Sequence, residues 1–166
     1  VRNLMLVPMV LTMTAPMLAG DVAMAETNTT STTESRNKAI VEASFKAWKD
    51  GAGSPFDLLT DDATWTIVGN SVVARTYKSR EEFLREVIRP FNARMREPLK
   101  PEIRRIYTDG ATVIVFFDAK GIARDGQPYV NTYAWFLDMR DGRVTSASAF
   151  FDSLAFNAFW ARVPPQ

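Results

Sequence analysis

The chain has 166 residues, 46% of them hydrophobic and 11% aromatic, with a formal net charge of +1. That is enough for one domain with a true core, and the charge balance argues against a general polyanion binder. Histidine and cysteine are both absent, which removes imidazole triads, thiolate nucleophiles, disulfides and the usual zinc ligands.

Any chemistry must therefore come from carboxylates, Tyr, Lys, Arg, amides or backbone groups. No metal site and no cofactor are expected.

Residues 1–25 read as a signal peptide. Arg2 gives a thin positive start, an apolar run over 4–18 is broken by Pro8 and Pro16, and Ala23-Met24-Ala25 is a small-x-small cleavage pattern. The prolines and the short length argue against a spanning helix, and no cysteine follows to carry a lipid. The mature protein is expected to be periplasmic or secreted, without a stable membrane anchor. Residues 26–35, nearly all Thr, Ser, Asn and Glu, read as a disordered linker. The folded domain is then 36–163.

The first helix is expected over 37–50, where Ile40, Val41, Ser44, Phe45 and Trp48 recur at the helical period. Gly51 stops it. Ser54-Pro55-Phe56-Asp57 combines an N-cap, a first-turn proline and a first-turn acid, so a short helix should run to about Thr60. A strand over 63–68 is turned by Gly69-Asn70. Ser79 with Glu82 three residues on is a capping box that opens a third helix, with the stripe Phe83, Leu84, Val87, Ile88 and Phe91. Pro90 should kink or end it near Arg89.

The second half reads as a meander. Strand-like runs over 102–107, 112–120, 129–139 and Arg143–Phe151 are parted by Asp109-Gly110, Asp125-Gly126 and Asp141-Gly142. Asp-Gly supplies the positive φ that tight hairpins need, and a helix closes the chain. Helices segregated to one face of an antiparallel sheet make an α+β domain. A curved sheet of this kind makes a cup.

The residues that bear on function lie along these strands. Asp118 interrupts an apolar run that includes Phe116. It is either an enclosed acid with a raised pKa or one partner of an arginine on a neighbouring strand. Asp152 ends the last strand, as an acid at the cup or as the N-cap of the final helix. Trp65 and Ile67 share one strand face, as do Asn131, Tyr133 and Trp135, while Phe150 and Phe151 point oppositely. Arg80, Arg85, Arg89, Arg94, Arg96, Arg104 and Arg105 are interspersed with acids and read as a solvated face, so no nucleic-acid partner is expected.

Three stretches carry a family resemblance: 59–65 (Leu-Thr-Asp-Asp-Ala-Thr-Trp), 79–83 (Ser-Arg-Glu-Glu-Phe), and 125–133 continuing through Asp141-Gly142 to Phe151-Asp152. Together they resemble the SnoaL-like and ketosteroid-isomerase-like branch of the nuclear transport factor 2-like superfamily. The resemblance implies a cystatin-like cone: a curved, mainly antiparallel sheet with N-terminal helices on its concave face and a short C-terminal helix. It also implies a small hydrophobic ligand, while the doubly apolar strands over 129–139 and 143–151, whose outer face would otherwise expose aromatics to water, point to a homodimer through the sheet. The isomerases of this branch are similar in using an Asp base on the first strand, a Tyr on the first helix and a protonated Asp on a later strand. Here those positions fall on or beside Ile67, near Ser44, and on Asn131 or Thr132. Isoleucine cannot abstract a proton, so the authentic isomerase reaction is not expected.

What remains is carboxylate acid–base chemistry on a small hydrophobic substrate, of isomerase, cyclase, dehydratase or hydratase type. Asp152 and Asp118 would be catalytic, and Trp65, Ile67, Phe116, Asn131, Tyr133 and Phe151 would form the pocket. The alternative is a non-catalytic ligand-binding or accessory dimerisation module on the same cone.

Overall fold

The first helix, α1 (Ala19–Asp50), lies against a curved sheet that the rest of the chain builds around it. The computed structural model describes residues 19–165, with side chains from residue 30 onward. Most of the leader read over 1–25 lies outside the described residues. After α1 come a 3-10 turn (Pro55–Leu58), β1 (Leu59–Ile67) and the short β2 (Thr76–Tyr77). Then follow α2 (Arg80–Phe83), a π-helical turn (Leu84–Ile88) and α3 (Arg89–Asn92) as one helical segment. The remainder is β3 (Met95–Asp109), β4 (Thr112–Ala123), β5 (Pro128–Arg140), β6 (Arg143–Phe151) and α4 (Ser153–Arg162).

The six strands lie in the order β2-β1-β6-β5-β4-β3. Only β1 with β6 is parallel, so the sheet is mainly antiparallel, as expected. Each Asp-Gly pair sits at its hairpin, with φ of 57°, 84° and 75° at Gly110, Gly126 and Gly142. Asp141 is itself at φ 51°, which gives the last hairpin two successive left-handed residues.

Several boundaries differ from the sequence reading, each for a local reason. Where the sequence suggests a linker over 26–35, the backbone is helical. Glu34 Oε1 accepts from the Gly110 N–H at 2.7 Å, which ties this part of α1 to the β3–β4 hairpin. The helix through Pro90 does not stop near Arg89. The missing Pro90 N–H is absorbed by the π turn, in which the Arg89 N–H reaches back five residues to the Leu84 carbonyl. Ser79 caps as expected through the Glu82 N–H at 3.1 Å. The Glu82 carboxylate, however, accepts from Lys78 N at 2.7 Å instead of closing the box.

β3 begins well before residue 102 despite Pro98 and Pro101. It is an edge strand, where a missing N–H costs no ladder bond. Its first residues are bulged against β4, and they pass very close to Gly121. A Cβ on Gly121 would lie 2.6 Å from Met95 Cε and 2.9 Å from the Glu97 carbonyl oxygen.

The core lies between α1 and the inner sheet face. Alternate residues of β4 (Val113, Val115, Phe117) are wholly buried and meet Val41 and Phe45 of α1. Phe117 is packed among aromatic rings, with centroids 5.0 Å from Phe45, 4.9 Å from Tyr133 and 4.9 Å from Trp135. No helix among the described residues is long and apolar enough to cross a membrane.

Candidate functional site

Strand alternation puts Trp65 and Ile67 of β1, Tyr133 and Trp135 of β5, and Ala149 and Phe151 of β6 on one inner face. Ala149 pairs with Ile67 on one side and Trp135 on the other. Its methyl group leaves space between two large neighbours. The result is a cavity of about 500 Å³ between the sheet and the helices.

The walls are aromatic and mutually braced. Trp65 stacks on Phe83 at 4.6 Å and meets Trp135 edge-on at 5.0 Å. Trp48 of α1 lies parallel to Trp135 at 6.0 Å, and Phe56 closes the side near the 3-10 turn. Exposed lining residues mark the mouth: Gly51 and Gly53 on one side, Asn92, Arg96 and Lys100 on the other. Arg96 and Lys100 are the charged groups of the lining. Among the described residues no carboxylate borders the cavity.

The expected pocket residues divide cleanly. Trp65, Ile67, Tyr133 and Phe151 line the cavity. Phe116 does not, because β4 turns Phe117 inward and Phe116 outward, beneath the Arg104 guanidinium at 5.1 Å. Asn131 faces inward and is buried, but its amide is engaged by protein groups on all sides.

Neither expected catalytic carboxylate reaches the cavity. Asp118 shares the outward parity of Phe116. It accepts from the Thr132 hydroxyl at 2.7 Å and from Arg104 Nε at 2.6 Å. The Thr132 hydrogen bond first, then that of Arg104, holds its carboxyl below the usual aspartate range. A ready anion on the outer face is the opposite of an enclosed acid. Asp152 is exposed and caps α4, accepting from Leu154 N at 2.9 Å and Ala155 N at 3.3 Å. Of the two roles its sequence position allows, this is the capping one.

The buried polar groups are phenols and an arginine. Burial pushes the Tyr133 hydroxyl well above the ordinary tyrosine value and raises Tyr129 as well. Both stay neutral at any physiological pH. Arg94 departs from the solvated face expected of it: it is 5% exposed, its guanidinium lies 3.8 Å from the Trp160 ring centroid, and Nη1 donates to the Pro90 carbonyl at 2.8 Å. The sequence reading missed Trp48, Phe56, Phe83, Ala149, Arg96 and Lys100. Strand parity alone, carried from Phe151 back to Ala149, would have found that residue.

The SnoaL-like domain model matches residues 41–147. Similar solved structures include an NTF2-like protein from Burkholderia thailandensis E264, at 20% identity and TM-score 0.60, covering 75% of this chain and 95% of that one. TerC, co-crystallised with polyporic acid, is 18% identical at TM-score 0.60, covering 75% of this chain and 97% of that one. An LEH-like epoxide hydrolase from M. tuberculosis is 20% identical at TM-score 0.55, covering 78% and 92% respectively. At such identities the likeness concerns the fold. No curated protein matches the sequence. The domain match spans more than half of the chain, on a curved sheet with the helices and cavity described above: the protein belongs to the SnoaL-like domain family.

Proposed function

We propose that this protein binds a flat, apolar small molecule in the aromatic cavity, and that neither Asp118 nor Asp152 performs acid–base chemistry on it. The fold is one of small-molecule conversion or binding, and one observation supports the binding reading here. The cavity has aromatic walls and no carboxylate in its lining among the described residues. A general base must come within about 3 Å of the proton it removes. Asp118 instead faces outward into an ion pair, and Asp152 is spent on a helix cap. Arg96 and Lys100 at the mouth favour a ligand that carries an anionic group at one end.

Anilinonaphthalene sulfonate, a planar aromatic anion, tests this. It should bind saturably with one site per chain and quench tryptophan emission, with unchanged circular dichroism. Asp118→Asn and Asp152→Asn should bind it as the parent does, whereas Ala149→Phe, which fills the space beside Ile67 and Trp135, should abolish binding. Replacing Arg96 and Lys100 together by Ala should weaken it about fivefold, less in high salt. Non-saturable binding, or a turnover that Asp152→Asn removes, would overturn the proposal.

We also propose that the outer sheet face pairs with a second copy of the chain. Val130, Phe136 and Phe150 are 59%, 37% and 43% exposed there. The two phenylalanine rings sit 5.8 Å apart, and exposed apolar groups so placed suit an interface. Light scattering should give twice the monomer mass, and Phe150→Glu should return the monomer. A parent chain that is monomeric at micromolar concentration would refute the pairing.

A further inference from the structure

Among the described residues Arg94 is the only charged side chain that is buried. A guanidinium keeps its proton inside a protein, so a full positive charge lies there. Burial alone lowers its pKa from the ordinary arginine value, with no acid beside it to raise it. Nη1 donates to the Pro90 carbonyl at 2.8 Å, and the Trp160 ring covers one face at 3.8 Å. Nε is shut off from solvent without a partner, and Nη2 has no hydrogen bond among the described residues. A buried charge that lacks a counter-charge is costly.

Arg124, half-buried, is drawn to the same place. Its backbone N–H donates to the Arg94 carbonyl at 2.9 Å and its Nη1 to the Ala93 carbonyl at 3.1 Å. It too forms no ion pair among the described residues. Asp125, next in the chain, is committed to Arg162 Nε at 2.6 Å and to the Gln127 N–H at 3.0 Å. Pro90 and Ala93 are three residues apart at the end of the helical segment, and so are neighbours. The partial negative charge of those last carbonyls accounts for one nitrogen of each arginine. Half a unit of charge does not balance two cations, and it leaves the Nε–Nη2 edge of Arg94 idle. That edge is a fork of two parallel N–H groups, shaped to take two oxygens of one anion.

We propose that Arg94 and Arg124 form an anion site, where the helical segment, the β4–β5 hairpin and α4 meet, for a phosphate group held on the Nε–Nη2 fork of Arg94. Arg124 supplies the second charge through the hydrogens that its carbonyl bond leaves free. A phosphate dianion matches two cations, whereas a carboxylate offers the two oxygens with half the charge. Trp160 keeps the Arg94 guanidinium in one plane, so the fork is oriented before the anion arrives. The site stands apart from the aromatic cavity, because Arg94 lies outside its lining. It therefore holds or fails independently of the binding reading above.

Inorganic phosphate, titrated at neutral pH into the full chain against sodium chloride of equal ionic strength, gives the test. The melting temperature should climb with phosphate along a saturating curve, and the Nε–H proton resonance of Arg94 should move downfield. Arg94→Met, which keeps an apolar stem against Trp160, should remove the saturable rise. Arg124→Gln should weaken phosphate about tenfold, the size of one charge-assisted hydrogen bond. Acetate should bind at least tenfold more weakly than phosphate. Should Arg94→Met fail to fold, the resonance in the parent and the Arg124→Gln titration still decide. A linear rise shared by parent and Arg124→Gln is the general effect of an excluded salt and would overturn the site. An Nε–H resonance that does not move would do the same. Acetate binding as tightly as phosphate would overturn the phosphate assignment.

Discussion

Phe117→Ala is expected to lower the stability of the domain by about 3–5 kcal/mol, the range for removing a large aromatic ring from a closed core. Phe117 is completely buried. It stacks on Tyr133 at 4.9 Å and 10° and meets Phe45 and Trp135 edge-on. These neighbours are fixed to two different elements, Phe45 to α1 and Tyr133 and Trp135 to β5, so they cannot all collapse into the vacated space. Urea denaturation should show a lower midpoint with little change in slope. Phe117→Leu should cost less than half as much. A loss below about 1 kcal/mol for the alanine variant would mean that this core relaxes far more than its packing implies. Because Tyr133, a wall of the cavity, rests on Phe117, anilinonaphthalene sulfonate should also lose affinity in any fraction that stays folded.

The second large effect is at Asn131, where truncation to Ala should cost about 2–4 kcal/mol. Its amide satisfies both backbone groups of Asp152 and the Tyr129 hydroxyl. Removal strands these partners at the point where β6 hands over to α4. Asn131→Asp makes a finer test. A carboxylate can still accept from the Asp152 N–H, but it cannot donate to the Asp152 carbonyl or to Tyr129. Buried there, it is pushed above the free aspartate value of about 3.9. The sign follows: the folded state holds its proton more tightly than the unfolded state. The variant is therefore most stable below about pH 4 and loses stability as pH rises through the raised folded value. Thermal melts of parent and variant from pH 3 to 8 should diverge upward in pH. Parallel curves would place residue 131 in contact with solvent.

The meander was plain in the sequence because Asp-Gly pairs are a local cause of hairpins and act wherever the rest of the chain lies. The walls at Trp65, Ile67, Tyr133 and Phe151 were grouped by alternation along their strands, which sets residues on a common face without saying which face turns inward. The face of Phe116 and Asp118 was hidden because β4 is apolar on both sides: Ile114 and Phe116 alternate with Val113, Val115 and Phe117. Only the arginine brought alongside by β3 settles which set faces out, and that contact is non-local. Asp152 was ambiguous for another reason. A carboxylate before a helix reads the same whether it caps the backbone or serves a ligand, until the direction of the strand end is known. Arg94 looked like its basic neighbours, and only the arrival of Trp160 from α4 makes its position an interior one. The early start of β3 was hidden by prolines that an edge strand tolerates.

Gly121 has a reach beyond its own strand. The segment it admits, from Met95 to Pro98, is the one that swings Arg96 and the residues toward Lys100 into the mouth of the cavity. The aperture is thus governed from the far side of β3 by a residue that never meets the ligand. A single methyl group there would lie 2.9 Å from the Glu97 carbonyl oxygen, a clash, and tightly at 3.1 Å from that of Pro98, and backbone carbonyls have no side-chain freedom with which to step aside. The segment from Met95 to Pro98 would have to shift. Selection for a wider or narrower entrance, in the laboratory or in nature, can therefore work at position 121 and leave every aromatic wall untouched.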